Sequence, residues 1–324
     1  MLRFFLLSVQ KITPYRFAFI VWVSDRIYAI MNEKGVTSMQ YPPIIDLHTH
    51  STASDGTYTP KELAELANKI GLSAIALTDH DTIDGLKEFQ ETGKSLGIET
   101  ICGIEFAALW EKHHKPEIHI VGLGIDPTHP ILAERMKNIR ESRDIRNLKM
   151  CEKLSSIGLH ITLDEVAANA GGEIITRAHF ANVLLKKGYI ARKEDAFSRY
   201  ISPGLPGYAE REFLTPELCI QTIKKAGGAA VLAHPTLYKL NMTQLEELCE
   251  ELIPYGLDGV ECQYSTYSAA ETKAITALAE KFHLLPSGGS DFHGKNKPNI
   301  HLGSGKSNLA IPYAFWEELK KRTK

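Results

Sequence analysis

Five cysteines in 324 residues form no CxxC pair. A disulfide framework and a thiolate zinc knot are both excluded on that spacing, and a reducing interior, the cytoplasm, is the expected location. Charge of one sign is also missing. Thirty-seven Lys and Arg face 39 Asp and Glu, a formal net charge of -2, which offers no broad field for a long nucleic acid or an anionic membrane. The chain has no RGG tail and no paired aromatic strand motif, which argues against an extended RNA platform. Nor does it hold an apolar run of the roughly 18 to 20 residues that span a bilayer. Two N-terminal apolar bursts, Leu2–Leu7 and Phe17–Val23, are broken by Lys11, Pro14 and Arg16, and no small-x-small cleavage site follows them. Residues 1–40 are set apart as a leader. It is either a dispensable or mis-started segment, with Met31 and Met39 as alternative starts, or a membrane-associating stretch, or an extra helix.

What remains is ordinary globular material, 44% apolar and 23% charged, enough for a substantial core. From Ile44 the pattern becomes regular. Strands are expected at 44–47, 73–77, 100–104, 117–123, 229–232, 259–262 and 284–287. Helices are expected between most of them, at 60–70, 85–96, 216–226, 243–253 and 269–281. The first is signalled by Thr59, Pro60 and Glu62, an N-cap, a first-turn proline and a capping-box acid. Strands alternating with helices imply a parallel sheet, and seven of them suit a closed or nearly closed α/β barrel.

The interval 126–214 breaks this beat. Ile131–Ile157 reads as one long helix with seven basic and four acidic residues, and Thr162 with Glu165 opens another. It is expected to be an inserted helical subdomain, either a solvated appendage or a cap over the barrel mouth, where loops after barrel strands bind substrates. The barrel then comprises 43–125 and 215–310, and 311–324 forms a C-terminal helix.

Polar residues punctuate the strand ends. His48 and His50 lie two apart in an extended segment and so face one side, which suits two imidazoles at one metal centre. Asp55 follows in a Ser54-Asp55-Gly56 turn, and His80, Glu105, His119, His234, Asp291 and His293 stand at or beside the ends of further strands, His119 least neatly. Nine candidates exceed the needs of one four- to six-coordinate ion, so two or three divalent metals are implied, with Glu105 or Asp291 suited to bridging. The mixed nitrogen and oxygen donors favour Mn, Zn or Fe over Ca or Mg. Asp79, Asp81 and Asp84 either hold turns or accept bonds from ligating imidazoles.

These runs, DLHTHSTASDGTYTP at 46–60, ALTDHDTIDG at 76–85, GIE at 103–105, AHP at 233–235 and GSDFHG at 289–294, resemble the PHP (polymerase and histidinol phosphatase) superfamily. The resemblance covers about residues 43–310. It implies a distorted seven-stranded (βα) barrel carrying a trinuclear metal cluster at the strand C-termini, with the nine residues above as ligands and manganese as the first choice. Asp55, within SDG followed by TYTP, is similar to the branch of 3',5'-nucleoside bisphosphate phosphatases and 5'-to-3' oligoribonucleotide exoribonucleases. Histidinol phosphatases usually have His at this place. That branch also has a helical insertion with an Arg-x-His-Phe signature, here Arg177-Ala178-His179-Phe180.

The resemblance implies a metal-dependent phosphoric ester hydrolase that needs no Ser or Cys nucleophile. Its expected substrates are 3',5'-nucleoside bisphosphates and short 5'-phosphorylated RNA. Glu105, Asp291 and His234 are the catalytic candidates, while Arg177 and His179 are the candidates for holding the second phosphate. Another small phosphate monoester such as histidinol phosphate, or a non-catalytic metal module, are the competing readings. No stable long nucleic-acid complex or membrane contact is expected, and the chain is expected to be a monomer or a small homo-oligomer.

Overall fold

The computed structural model describes residues 19–24, 27–32, 35–40, 43–170 and 174–324. Two compact units divide the chain after Ile44. In the first, β1 (Phe19–Ser24), β2 (Ile27–Asn32) and β3 (Gly35–Gln40) form an antiparallel three-stranded sheet in the order β1-β2-β3. An added helix was one expectation for this stretch, and strands stand there instead, as the β-branched and aromatic content of Phe19–Val23 favours. Residues 1–18, including the Leu2–Leu7 burst, lie outside the described residues. No helix among the described residues is long and apolar enough to cross a membrane.

The second unit is an α/β structure around one eight-stranded, nearly closed, barrel-shaped sheet. Its strands are β4 (Ile44–Asp46), β5 (Ala74–Leu77), β6 (Glu99–Leu109), β7 (Glu117–Leu123), β8 (Ala229–Leu232), β9 (Leu257–Tyr264), β10 (Leu285–Gly289) and β11 (Ile311–Pro312), ordered β10-β9-β8-β7-β6-β5-β4-β11. All seven expected strands are present, and the two-residue β11 adds an eighth beside β4. β10 also approaches the end of β4. Leu47 N–H donates to Gly288 O at 3.3 Å, and beyond the strands Asp291 N–H donates to His48 O and His50 N–H to Phe292 O, each at 2.9 Å. Asp46, fully buried, clasps this seam by accepting from the N–H groups of Ser290 and Gly303, both at 2.8 Å.

The expectation of an all-parallel sheet is corrected at one place. β7 runs antiparallel to both β6 and β8, because β6 continues to Leu109 and returns through a short connection as a hairpin. Alternating burial along a strand is the same in either direction, so pattern alone cannot report this. Ile45, Leu47, Ala74, Ala76, Ile101, Val121, Leu123, Ala229 and Val231 form one core with Trp316 and Leu319 of the C-terminal helix. Every second residue of a strand contributes. Glu105 and His119 continue the same faces as Ile101 and Val121, so they point inward at one end of the sheet.

Helices α1 (Pro60–Lys69) and α2 (Leu86–Leu96) follow the first strands. The Thr59–Glu62 capping box opens α1, and Gly97, at φ +75°, ends α2 in the left-handed conformation that glycine adopts without penalty. Between β7 and β8 stand α3 (Pro130–Ser156), α4 (Leu163–Ala167), α5 (Arg177–Lys186) and α6 (Lys193–Ala196). They surround an apolar cluster of their own that includes Met150, Leu154, Val166, Phe180 and Leu184. Helices α7 (Pro216–Lys225), α8 (Met242–Leu252), α9 (Ala269–Phe282) and α10 (Tyr313–Lys320) complete the unit.

Candidate functional site

The nine residues singled out at the strand ends are brought together at one end of the sheet. They form four overlapping groups, within each of which the ligand atoms lie within 4.8 Å of one another: His50, Asp55, His80 and His293; His48, His50 and Asp291; His48, Glu105 and His234; His80, Glu105 and His119. His119 belongs because β7 is reversed. Its N-terminal half lies at the end where the other strands finish, which explains why His119 did not look like a residue at a strand terminus.

Glu105 stands at the centre. Its Oε1 is 2.7 Å from His119 Nδ1 and 3.0 Å from His234 Nε2, while Oε2 is 2.8 Å from His80 Nδ1 and 3.3 Å from both His48 Nε2 and His50 Nε2. Burial pushes this carboxyl upward, but His80, His119 and His48 outweigh it and hold it well below the usual carboxylate range. Asp291 Oδ1 is 3.1 Å from His50 Nε2. Its Oδ2 accepts from Tyr264 Oη and Lys297 Nζ, both at 2.5 Å, which turns the free edge toward the imidazoles. His293 Nε2 approaches Asp55 Oδ1 at 3.2 Å.

Three residues at or beside the cluster have left-handed backbone. Asp81, His234 and Asp291 have φ of +52°, +27° and +55°, conformations costing roughly 1 to 3 kcal/mol each for residues with a side chain. The surrounding bonds hold them in place. Glu261, 1% exposed, was not foreseen. It accepts from His48 Nδ1 at 2.8 Å through one oxygen and from His234 N–H at 2.6 Å through the other. The first bond directs His48 Nε2 at the centre, and the second fixes the strained turn that carries His234. A lone acid in the otherwise apolar Gly259–Cys262 run was the signal available in sequence.

The donor set suits divalent transition cations. Six imidazoles and three carboxylates converge, and two buried ring nitrogens, His50 Nδ1 and His234 Nδ1, make no hydrogen bond to any described residue. Asp79 and Asp84 bond no imidazole among the described residues. Asp79 accepts from Ser51 N–H and from the Ser51 and Ser54 hydroxyls, shaping the loop to Asp55, while Asp84 accepts from the Thr82 hydroxyl.

A cavity of about 320 Å³ opens beside the cluster, and Asp55, His80, His119 and His234 line it on one side. Arg143 and Arg146 of α3, Arg177 of α5 and Arg211 from the segment before α7 line it on the other, with Tyr208, Phe197 and Phe213. Arg177 lines the cavity, its Nη2 paired with Glu117 at 2.8 Å. His179 does not line it. Its Nδ1 accepts the Thr176 N–H at 3.2 Å and completes the capping box of α5, so the expected phosphate contact is not what its position provides.

Arg143, Arg146 and Arg211 were not foreseen. Along α3 the buried positions Leu132, Met136, Ile139, Arg143, Arg146, Met150 and Leu154 form a stripe of helical period. Two arginines interrupting an inward stripe were the sequence signal. Arg146 is 4% exposed and donates to Ile175 O at 3.0 Å, while its Nε bonds nothing among the described residues.

With this geometry in place, comparison with known proteins identifies the family. A PHP domain model matches residues 46–191. The chain is 36% identical over 296 residues to the 5'-3' exoribonuclease Rnm of Escherichia coli, covering 89% of this chain and 99% of that protein. It is 35% identical over 279 residues to a 3',5'-nucleoside bisphosphate phosphatase of Chromobacterium violaceum, covering 86% and 97%. The solved structure of an amidohydrolase from Chromobacterium violaceum with bound sulfate and no metal superposes with a TM-score of 0.77 at 34% identity, covering 86% and 97%. The chain belongs to the PHP domain family.

Proposed function

We propose that this chain is a metal-dependent phosphoesterase that releases the 3'-phosphate of 3',5'-nucleoside bisphosphates and trims short 5'-phosphorylated RNA from its 5' end. The relatives named for these two activities support it, and one observation carries it here: an arginine-lined cavity adjoins the ligand cluster. Three of the four guanidinium groups pair with Asp81 or Glu117 and Arg146 with neither, so two carboxylates leave two positive charges uncompensated. That excess matches one phosphate dianion beyond the one undergoing reaction.

The nine clustered residues would hold two or three divalent ions, Mn²⁺ as first choice with Zn²⁺ or Fe²⁺ as alternatives. Such ions would supply Lewis-acid charge to a phosphate ester and acidify water near neutral pH. The protein's part is to position. Glu105 gathers five imidazoles around one carboxylate, Asp291 turns its Oδ1 toward the cluster, where it would orient an attacking water, and His234 is held by Glu261. Arg146 and Arg177, with Arg143 and Arg211 beside them, take the second phosphate, fixing the 3'-phosphorus over the cluster. Residues 126–214 act as a cap on a seven-stranded (βα) core. Release of a 5'-mononucleotide breaks the same 3'-oxygen to phosphorus bond, and a cavity of about 320 Å³ suits one nucleotide rather than an extended strand. A cytoplasmic location belongs to the same reading, since all five cysteines are free.

The test is phosphate release from 3',5'-adenosine bisphosphate by metal-quantified protein, with 5'-phosphorylated oligoribonucleotides and histidinol phosphate run beside it. Fast turnover of the bisphosphate with little on histidinol phosphate is expected. Silence on the bisphosphate and the oligonucleotides, with metal bound, would overturn the reading.

A further inference from the structure

Asp81 follows His80 in the TDHD run, and its left-handed backbone turns the two side chains to opposite purposes. His80 faces Glu105, while the Asp81 carboxylate, 1% exposed, faces the inserted helices. Its Oδ2 accepts from Arg143 Nη2 and, at 3.0 Å, from Arg211 Nη1, and its Oδ1 accepts the Ala107 N–H at 3.1 Å. The arginines come from the middle of α3 and from the segment before α7, and both line the cavity.

We propose that Asp81 is the positioning residue for the phosphate that the product retains, acting through Arg143 and Arg211. The inference rests on the bisphosphate reading above. Two guanidiniums side by side in a dry wall repel each other, and each gains by swinging into water. A single carboxylate between them removes that incentive without neutralising the pair. One charge against two leaves the wall cationic, so the arginines stay in place and still attract an anion. A carboxylate for each would quench the site, and none would disperse it. Asp81 is also anchored to β6 through Ala107, the strand that carries Glu105, so the wall is placed relative to the reacting centre by a rigid element.

The experiment compares kcat/KM for 3',5'-adenosine bisphosphate with kcat/KM for a single-phosphate aryl ester, at equal measured metal content, in the wild type, Asp81→Asn, Arg211→Met and the double variant. Loss of a charge-assisted bond predicts that each single change lowers the ratio about 10- to 100-fold. The double variant is expected to fall no further than the worse single one, because both changes break one unit. Calorimetric affinity for adenosine 5'-phosphate, which involves no turnover, should weaken in parallel. Asp81→Ser, which keeps a small hydroxyl, serves if melting shows Asp81→Asn unfolded. Equal losses on both substrates, or additive losses in the double variant, would overturn the inference and make Asp81 a structural residue only. A wild type with no preference for two phosphates would instead sink the bisphosphate reading on which the inference stands.

Discussion

Gly289 and His48 leave no room for a methyl group between them: a Cβ on residue 289 would lie 2.2 Å from His48 Cβ and 2.6 Å from His48 N. Both belong to the seam where β10 approaches the end of β4, so relief requires moving the backbone that aims His48. Gly289→Ala should destabilise the fold by about 1 to 3 kcal/mol and lower metal content together, read by thermal melting and metal analysis. Wild-type values for both would show that the seam can open without disturbing the cluster.

Glu105→Gln keeps the shape of the central side chain and removes its charge. Turnover of the bisphosphate should fall by orders of magnitude, with bound metal reduced and the circular dichroism spectrum unchanged. Normal turnover at normal metal content would remove Glu105 from the centre.

Glu261 touches no substrate, yet it directs one imidazole and clamps the backbone of another. Glu261→Gln should weaken metal affinity about 10- to 100-fold, as is typical when the partner of a ligating imidazole is lost. Competition with a chelator measures this directly. Unaltered affinity would reduce Glu261 to a packing role.

Arg146 has no carboxylate partner among the bonds it makes to described residues. Arg146→Met, which retains bulk, should raise KM for 3',5'-adenosine bisphosphate about 10- to 100-fold with a much smaller effect on an aryl phosphate. Equal effects on the two substrates would assign Arg146 to the stability of the inserted helices.

Glu99 accepts from Tyr313 Oη, and from Trp316 Nε1 and Lys320 Nζ at 2.9 Å each, docking α10 on β6. Burial opposes ionisation, but these three donors outweigh it and place the carboxyl below its ordinary range. A depressed carboxyl stabilises the fold fully above the unfolded value of about 4.3, and the contribution is lost as pH falls through the lower folded value. Because the site is largely solvated, the effect is modest. The melting-temperature difference between wild type and Glu99→Gln should therefore be present at pH 7 and shrink in acid. A difference that grows on acidification would contradict this.

The strand ends and all nine cluster residues were legible in sequence because chemistry and local geometry coincide there. His48 and His50 share a face by strand pleat alone, and His80, Glu105 and His234 stand just after an expected strand. What stayed hidden depended on contacts between distant segments. Asp81 meets Arg143 and Arg211 across intervals of 62 and 130 residues, and nothing local in a charged helix marks which arginines turn inward until the apolar stripe is traced through them. His179 shows the converse. A histidine three residues after Thr176 can close a cap as readily as it can bind a ligand, and the local bond prevails.

The reversal of β7 sets a requirement on the helix that follows. The chain leaves β7 at the end remote from the cluster, where Asp126 N–H donates to Ala226 O, yet the cavity arginines are needed at the other end. Helix α3 spans that separation. Arg143 stands 13 residues after Pro130, a climb of about 20 Å at 1.5 Å per residue. The helix works as a strut whose length is a measured part of the site. Removing one full turn below Arg143 would preserve which side of the helix the arginines occupy while lowering them by about 5 Å. A chain with every site residue intact would then present its phosphate-binding wall at the wrong height.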